Sequence, residues 1–127
     1  MLFHGHCHQK ALAKPLASVR LLRLAGYDAE LINAACCGMA GSFGYEKEHY
    51  EASRAASEQG VGPALRARPE AKVVVMGVSC RQQIEHFCGR TAHHLAQALR
   101  EGVAEEPADC TVQRIPAVPR QRSRLGP

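Results

Sequence analysis

The sequence predicts an α/β fold: a single Rossmann-like domain with a short parallel sheet, followed by a flexible C-terminal tail. Three observations carry this expectation. Short apolar or β-branched runs alternate with longer amphipathic ones, the pattern of parallel strands joined by crossover helices. The chain has 127 residues, enough for one domain and too few for two. After Val103 the periodicity stops and Glu, Pro and Arg take over. Residues 1–103 are therefore assigned to a cysteine-rich domain and 104–127 to a disordered tail.

The elements follow in order. Leu2, Phe3 and His4 read as a short buried strand, and residues 5–9 as a loop. Pro15 suits a first helical turn. Leu16, Val19, Leu22 and Leu24 then fall near one helix face, and Gly26 ends the helix. Residues 28–33 read as a second strand, and a glycine-rich turn over 34–41 holds Cys36 and Cys37. Ser42 is placed to cap a helix running to residue 59, with Glu46 and Glu48 near its positive end. Gly60 and Gly62 break it, and Pro63 opens a short helix to residue 68. Residues 72–77 are the clearest strand, β-branched and suited to burial on both faces. A loop over 78–80, a helix over 81–87 and a helix over 91–100 complete the domain, the last using Leu95, Ala98 and Leu99 as apolar contacts.

Composition narrows the function. Apolar residues make up 46% of the chain, with no Trp, so the core is built mainly from Ala, Val, Leu and Ile. The net charge of +4 is modest. Much of it sits at Arg114, Arg120, Arg122 and Arg124, which reads as a solvated tail and not as a nucleic-acid site. No apolar run reaches membrane-spanning length. The start, Met1-Leu2-Phe3-His4, has neither the basic region nor the apolar stretch of a signal peptide. A cytoplasmic, reducing setting is therefore expected. In it, the six cysteines read as metal-binding or redox residues rather than as a disulfide framework.

The cysteines gain meaning from the strands. Cys7 follows the first strand, Cys36 and Cys37 the second, and Cys80 the third. All four are expected just past the carboxyl ends of parallel strands, the edge where open α/β sheets bind ligands. Four thiolates there suit an iron–sulfur cluster or a tetrahedral zinc, and the spacing does not choose between them. Cys36 and Cys37 are neighbours about 3.8 Å apart at Cα, too close for a simple disulfide with each other. His6 and His8 flank Cys7 and are candidates to ligate a metal or to lower its thiol pKa, whereas His4 reads as part of the strand. His49 follows the cysteine pair, and His93 and His94 read as a helix start. Cys88 reads as packing, and Cys110 as incidental in the tail.

Three stretches carry a resemblance. They are His4-Gly5-His6-Cys7-His8-Gln9-Lys10-Ala11-Leu12, the run from Cys36-Cys37-Gly38-Met39-Ala40-Gly41-Ser42 through Phe43-Gly44-Tyr45-Glu46, and Ser79-Cys80-Arg81-Gln82-Gln83-Ile84. Over about residues 2–100 the chain resembles the cysteine-rich CCG domain. That domain occurs in heterodisulfide reductase and in the iron–sulfur subunits of anaerobic glycerol-3-phosphate dehydrogenase and glycolate oxidase. The likeness is nearest to the C-terminal CCG domain of FAD-linked, D-lactate dehydrogenase-like oxidases.

The resemblance implies an iron–sulfur electron-transfer module, as fragment or subunit, of a flavin-linked oxidoreductase of the 2-hydroxyacid or glycerol-3-phosphate type. It implies Cys7, Cys36, Cys37 and Cys80 as ligands of a 4Fe-4S cluster. Backbone N–H groups of the turn from Gly38 to Gly41 are expected to donate to cluster sulfurs. The heterodisulfide-reductase pattern closes with a CxxC, and Gly77 stands where its first cysteine falls. This argues against a five-thiolate cluster and leaves a four-thiolate one or none. FAD is expected on a flavoprotein partner or on an upstream FAD or ferredoxin-type domain, which places the module in the cytoplasm or peripherally at the inner membrane face. Two alternatives stay open: a metal-free thiol–disulfide domain, and a non-catalytic docking module for a flavoprotein with an exposed apolar patch near the first strand.

Overall fold

A computed structural model describes residues 1–104. The tail expected over 104–127, and Cys110 within it, lies outside the described residues except for Ala104. Four parallel strands form one sheet: β1 (Leu2–His4), β2 (Glu30–Leu31), β3 (Val73–Val75) and β4 (Ala92–His94). Their order across the sheet is β2-β1-β3-β4. Six helices accompany them among the described residues: α1 (Cys7–Leu12), α2 (Leu16–Leu24), α3 (Tyr50–Glu58), α4 (Val61–Ala67), α5 (Val78–Cys88) and α6 (Leu95–Ala104). The α/β class and the short parallel sheet are as the sequence predicts.

Alternation along the strands sorts the core into two layers. Leu2, Val73 and Val75 pack on one face with Val61, Leu65 and Ile84 from α4 and α5, together with Cys37, Met39 and Cys80. Phe3 and Val74 pack on the other face with Val19 and Leu22 of α2 and Leu95 and Ala98 of α6. Both faces of the sheet are thus covered by helices. The strand order reverses between β1 and β3, since the chain leaves β1 toward β2 on one side and later returns to β3 on the other. Crevices at such switch points, beyond the carboxyl ends of the strands, are where open α/β sheets bind ligands.

The structure corrects several elements. A fourth strand, Ala92–His94, replaces the start of the expected helix over 91–100; His93 and His94 lie in it, with Val74 and Val75 as register partners. Residues 7–12 are helical and not loop, because the His6 ring accepts the His8 N–H and caps α1. Likewise α5 begins at Val78, so Cys80 stands in its first turn. Residues 42–59 are not one helix. Two short 3-10 turns, Phe43–Tyr45 and Lys47–His49, precede α3, and Ser42 makes no side-chain cap. The helical run is interrupted at Glu46, whose backbone is extended (φ −79°, ψ 133°) between the two turns. On α2, Val19 and Leu22 are buried, whereas Leu16 and Leu24 are exposed.

A candidate metal centre at the switch point

The turn after β2 is built around Gly38. Its φ is +97°, in the region that favours glycine, and a Cβ there would lie 2.1 Å from the Ser53 carbonyl oxygen and 2.7 Å from Gln83 Nε2. Beneath the turn, buried Gln83 of α5 donates to the Ser53 carbonyl (3.2 Å) and hydroxyl (2.8 Å) of α3. The turn therefore rests on a hydrogen-bonded strut between two helices. From the opposite side, Lys10 Nζ of α1 donates to the carbonyls of Ala34 and Ala35, the latter at 3.1 Å. Gly77, just before α5, is packed tightly too: a Cβ there would lie 2.4 Å from His6 Cδ2.

This scaffold gathers the cysteines into two groups. Cys7 and Cys36 have their Sγ atoms 3.4 Å apart, both half-buried, and the Gly38 N–H donates to Cys36 Sγ at 3.3 Å. Both line a cleft of about 610 Å³ with His6, His8, Leu12 and Gly41. Cys37 and Cys80 are buried, and with buried His4 they offer three ligand atoms that all lie within 4.8 Å of one another. Cys37 also reaches the wall of the cleft, which links the two groups. His4, Cys37 and Cys80 form a group able to hold a metal ion.

Of these residues, His4 is the one that the sequence assigns to a strand and to nothing more. The signal was its spacing two from Leu2, which puts it on the same sheet face as the buried cysteines. Both of its ring nitrogens are buried and have no hydrogen-bond partner among the described residues. An unsatisfied buried polar group costs about 1–3 kcal/mol, so this histidine is a poor choice as mere filling.

The thiols differ in acidity for stated reasons. The adjoining Cys80 thiol favours a thiolate at Cys37 and, with help from His4 and the Met39 backbone, outweighs burial, holding Cys37 down to about 4. Cys80 is pushed far up, first by that Cys37 neighbour and then by burial, so the pair carries one negative charge before it carries two. Burial also raises Cys36, against the pull of the Gly38 N–H. Cys80 stands in the first turn of α5, where a helix end favours negative charge.

The remaining candidates lie elsewhere. His49 stacks on Phe43 with ring centroids 4.0 Å apart and pairs with Glu46 at 2.8 Å. His86 packs with Tyr50 and Phe87. Cys88 sits at the far end of α5 in a pocket with Leu65, Arg66, Pro69 and Arg90. Gly41 has a φ of +69° and open space where a Cβ would go.

The chain is similar to segments of two dehydrogenases. It is 31% identical over 101 residues to the D-2-hydroxyglutarate dehydrogenase of Escherichia coli (strain K12), an overlap of 78% of this chain and 10% of that protein. The Pantoea ananatis (strain AJ13355) enzyme of the same name is 37% identical over 76 residues, 60% of this chain and 7% of that one. A subunit of the anaerobic glycerol-3-phosphate dehydrogenase of Escherichia coli (strain K12) is 32% identical over 107 residues, 78% of this chain and 26% of that polypeptide. The chain thus spans a tenth to a quarter of the length of these two E. coli proteins. No known family profile and no solved structure matches it. Among the described residues, no helix is long and apolar enough to cross a membrane.

Proposed function

We propose that the chain is an iron–sulfur electron-transfer module of a flavin-linked dehydrogenase acting on a 2-hydroxyacid or on glycerol 3-phosphate. It is a CCG-type domain, spanning residues 1–103, and works as a component of a larger oxidoreductase and not as an enzyme by itself. Cys7, Cys36, Cys37 and Cys80 are its thiolate ligands, and a 4Fe-4S cluster is the group they suit. The supporting observation is the meeting of four thiols at the β1–β3 switch point, two of them buried beside a histidine whose nitrogens have no other partner among the described residues. A soft, thiolate-rich donor set of this kind fits iron–sulfur ligation.

When bound, such a cluster takes up and releases single electrons. The chain's own residues set the conditions for this. Burial of Cys37 and Cys80 keeps water from that side of the centre. The Gly38 N–H, already directed at Cys36 Sγ, stabilises negative charge on sulfur and so favours the reduced state. Gly41 leaves the cleft wall open beside Cys7 and Cys36. FAD belongs to a partner or to another domain of the same protein. The exposed Leu12 offers that flavoprotein an apolar contact at the cleft, and Leu16, Leu21 and Leu24 of α2 are exposed as well. The module would work in the cytoplasm or at the inner face of the membrane through such a partner.

The deciding measurement is iron and acid-labile sulfide per chain on anaerobically purified protein, with its EPR spectrum. About four irons and four sulfides, lost in Cys36→Ser, are expected. Full metal content in both Cys36→Ser and Cys37→Ser would reject the proposal.

A second reading rests on the Cys7–Cys36 separation of 3.4 Å. Without metal, this pair is close enough to be oxidised to a disulfide, giving two electrons and two protons to a disulfide or flavin acceptor. A protein free of iron but with a redox-active pair lost in Cys7→Ser would favour it.

A further inference from the structure

The donor set at the switch point is not made of sulfur alone. Of the seven histidines, His4 alone is fully buried. Others have evident employment: His6 Nδ1 accepts from the His8 N–H, His94 Nδ1 from the Ala96 N–H, and His49 pairs with Glu46. By hydrogen-bond geometry neither ring nitrogen of His4 has a partner among the described residues, and the polar group it acts on is the Cys37 thiol that it helps to ionise. Its backbone is fixed in the central strand, with Val75 as its register partner in β3. The side chain therefore grows from one of the best-braced points of the fold. One of its nitrogens and the Sγ atoms of Cys37 and Cys80 all lie within 4.8 Å of one another. Donors around one tetrahedral ion, at about 2.0–2.3 Å from it, stand roughly 3.5–3.8 Å apart. Contraction of at most about 1.3 Å, within reach of small side-chain torsions, closes this trio on a metal of that geometry.

We propose that His4 is a ligand of the centre, so that the site is a mixed imidazole–thiolate site and not a site of thiolates alone. The inference deepens the reading above and rests on these donors holding a metal. With His4 the crevice holds five donors: a buried half of His4, Cys37 and Cys80, and a cleft-facing half of Cys7 and Cys36. Five exceeds the four that a single tetrahedral ion takes, which favours more than one metal ion. An imidazole brings no negative charge where a thiolate brings one, so a centre with His4 at one metal position carries less negative charge, and a higher reduction potential, than one with thiolate at every position. The centre is thereby suited to accept electrons more readily than an all-thiolate one.

Cobalt(II) is the probe, because its thiolate charge-transfer and ligand-field bands report donors without iron or sulfide. The full chain is titrated anaerobically, and exchangeable imidazole N–H resonances shifted by the bound ion are followed by NMR. The native protein is expected to bind Co(II) with thiolate bands and one shifted imidazole N–H. His4→Leu, which fills the strand position with an apolar side chain, is expected to lose that resonance and to bind about tenfold or more weakly. His4→Cys is expected to keep Co(II), lose the resonance and gain charge-transfer intensity. Unchanged affinity and bands in His4→Leu, or a resonance that persists in His4→Cys, would overturn the proposal. If His4→Leu does not fold by circular dichroism, the His4→Cys result decides alone.

Iron, sulfide and reduction potential on the same proteins separate the two readings. Native protein with a cluster, and His4→Leu with equal cluster content and potential, would remove His4 while the cluster reading stands. Native protein without iron or sulfide, but with His4-dependent Co(II) binding, would do the reverse. Native protein taking neither metal overturns both.

Discussion

Replacing Gly38 by alanine tests the support beneath the site. Two costs add. An L-residue forced to φ +97° bears strain of about 1–3 kcal/mol. The new Cβ also meets backbone, the Ser53 carbonyl oxygen at 2.1 Å, and this contact cannot be relieved by rotating a side chain. To make room, α3 must move from the turn, and the two hydrogen bonds from Gln83 to Ser53 go with it. Gln83 is fully buried and its Oε1 already has no partner among the described residues, so stranding its amide costs about another 1–3 kcal/mol. The sum is about 2–6 kcal/mol, a large part of the stability of an ordinary domain. Gly41→Ala is the matched control: its φ is +69°, but no atom lies within 4 Å of the added methyl, so only the strain applies. Urea denaturation of the metal-free protein reads both. With a slope of about 1.5 kcal/mol per molar urea, the extra cost of about 1–3 kcal/mol puts the Gly38→Ala midpoint about 0.7–2 M below that of Gly41→Ala. Equal midpoints for the two variants would refute the steric argument.

Two further outcomes are expected. Cys88→Ala should leave iron and sulfide content at the native level while lowering stability by about 1–2 kcal/mol, because Cys88 packs against the core at the end of α5 away from Cys80; loss of metal would show that Cys88 belongs to the centre. Lys72 holds the Glu101 carboxyl below the usual glutamate range, and a depressed folded value means stabilisation that is complete above the unfolded pKa of about 4.3 and lost as pH falls through the folded one. Glu101→Gln should therefore flatten the acid limb of the urea midpoint below about pH 4.3, and an unaltered acid limb would remove Lys72–Glu101 as its cause.

What could be read from sequence follows from how strongly each residue's own chemistry speaks. Val73, Val74 and Val75 announce a buried strand because three β-branched residues have few other uses, and the structure buries all three. The strand–helix alternation was enough to put Cys7, Cys36, Cys37 and Cys80 beyond strand ends. β4 was hidden because Ala92, His93 and His94 are short, partly polar and joined to α6 without a turn residue. Only pairing with β3 makes them a strand. α1 has no buried residue, so no apolar periodicity marks it, and its cap is an imidazole rather than a Ser or Asp. His4 was legible in principle from its alternation with Leu2, but its meaning depends on the absence of any partner for its ring among the described residues, which only tertiary structure displays.

Two adjacent cysteines are useful here for a geometric reason of the same kind. Cys36 and Cys37 are neighbours in the chain, yet one faces Cys7 in the half-open cleft and the other is buried with Cys80 and His4. The two side chains diverge, so the Cys-Cys pair delivers one thiol to each half of a single crevice. Gly38 then has to reverse the chain at once, against the Ser53 carbonyl, where no side chain fits. Its freed N–H points back at Cys36 Sγ. The Cys-Cys-Gly sequence is thus a single geometric device: two divergent donors, and a left-handed residue that both permits the turn and supplies a hydrogen bond to sulfur. Cys80, in the first turn of the helix after β3, and His4, at the end of β1, complete the buried half; β1 and β3 are the two strands that border the switch point.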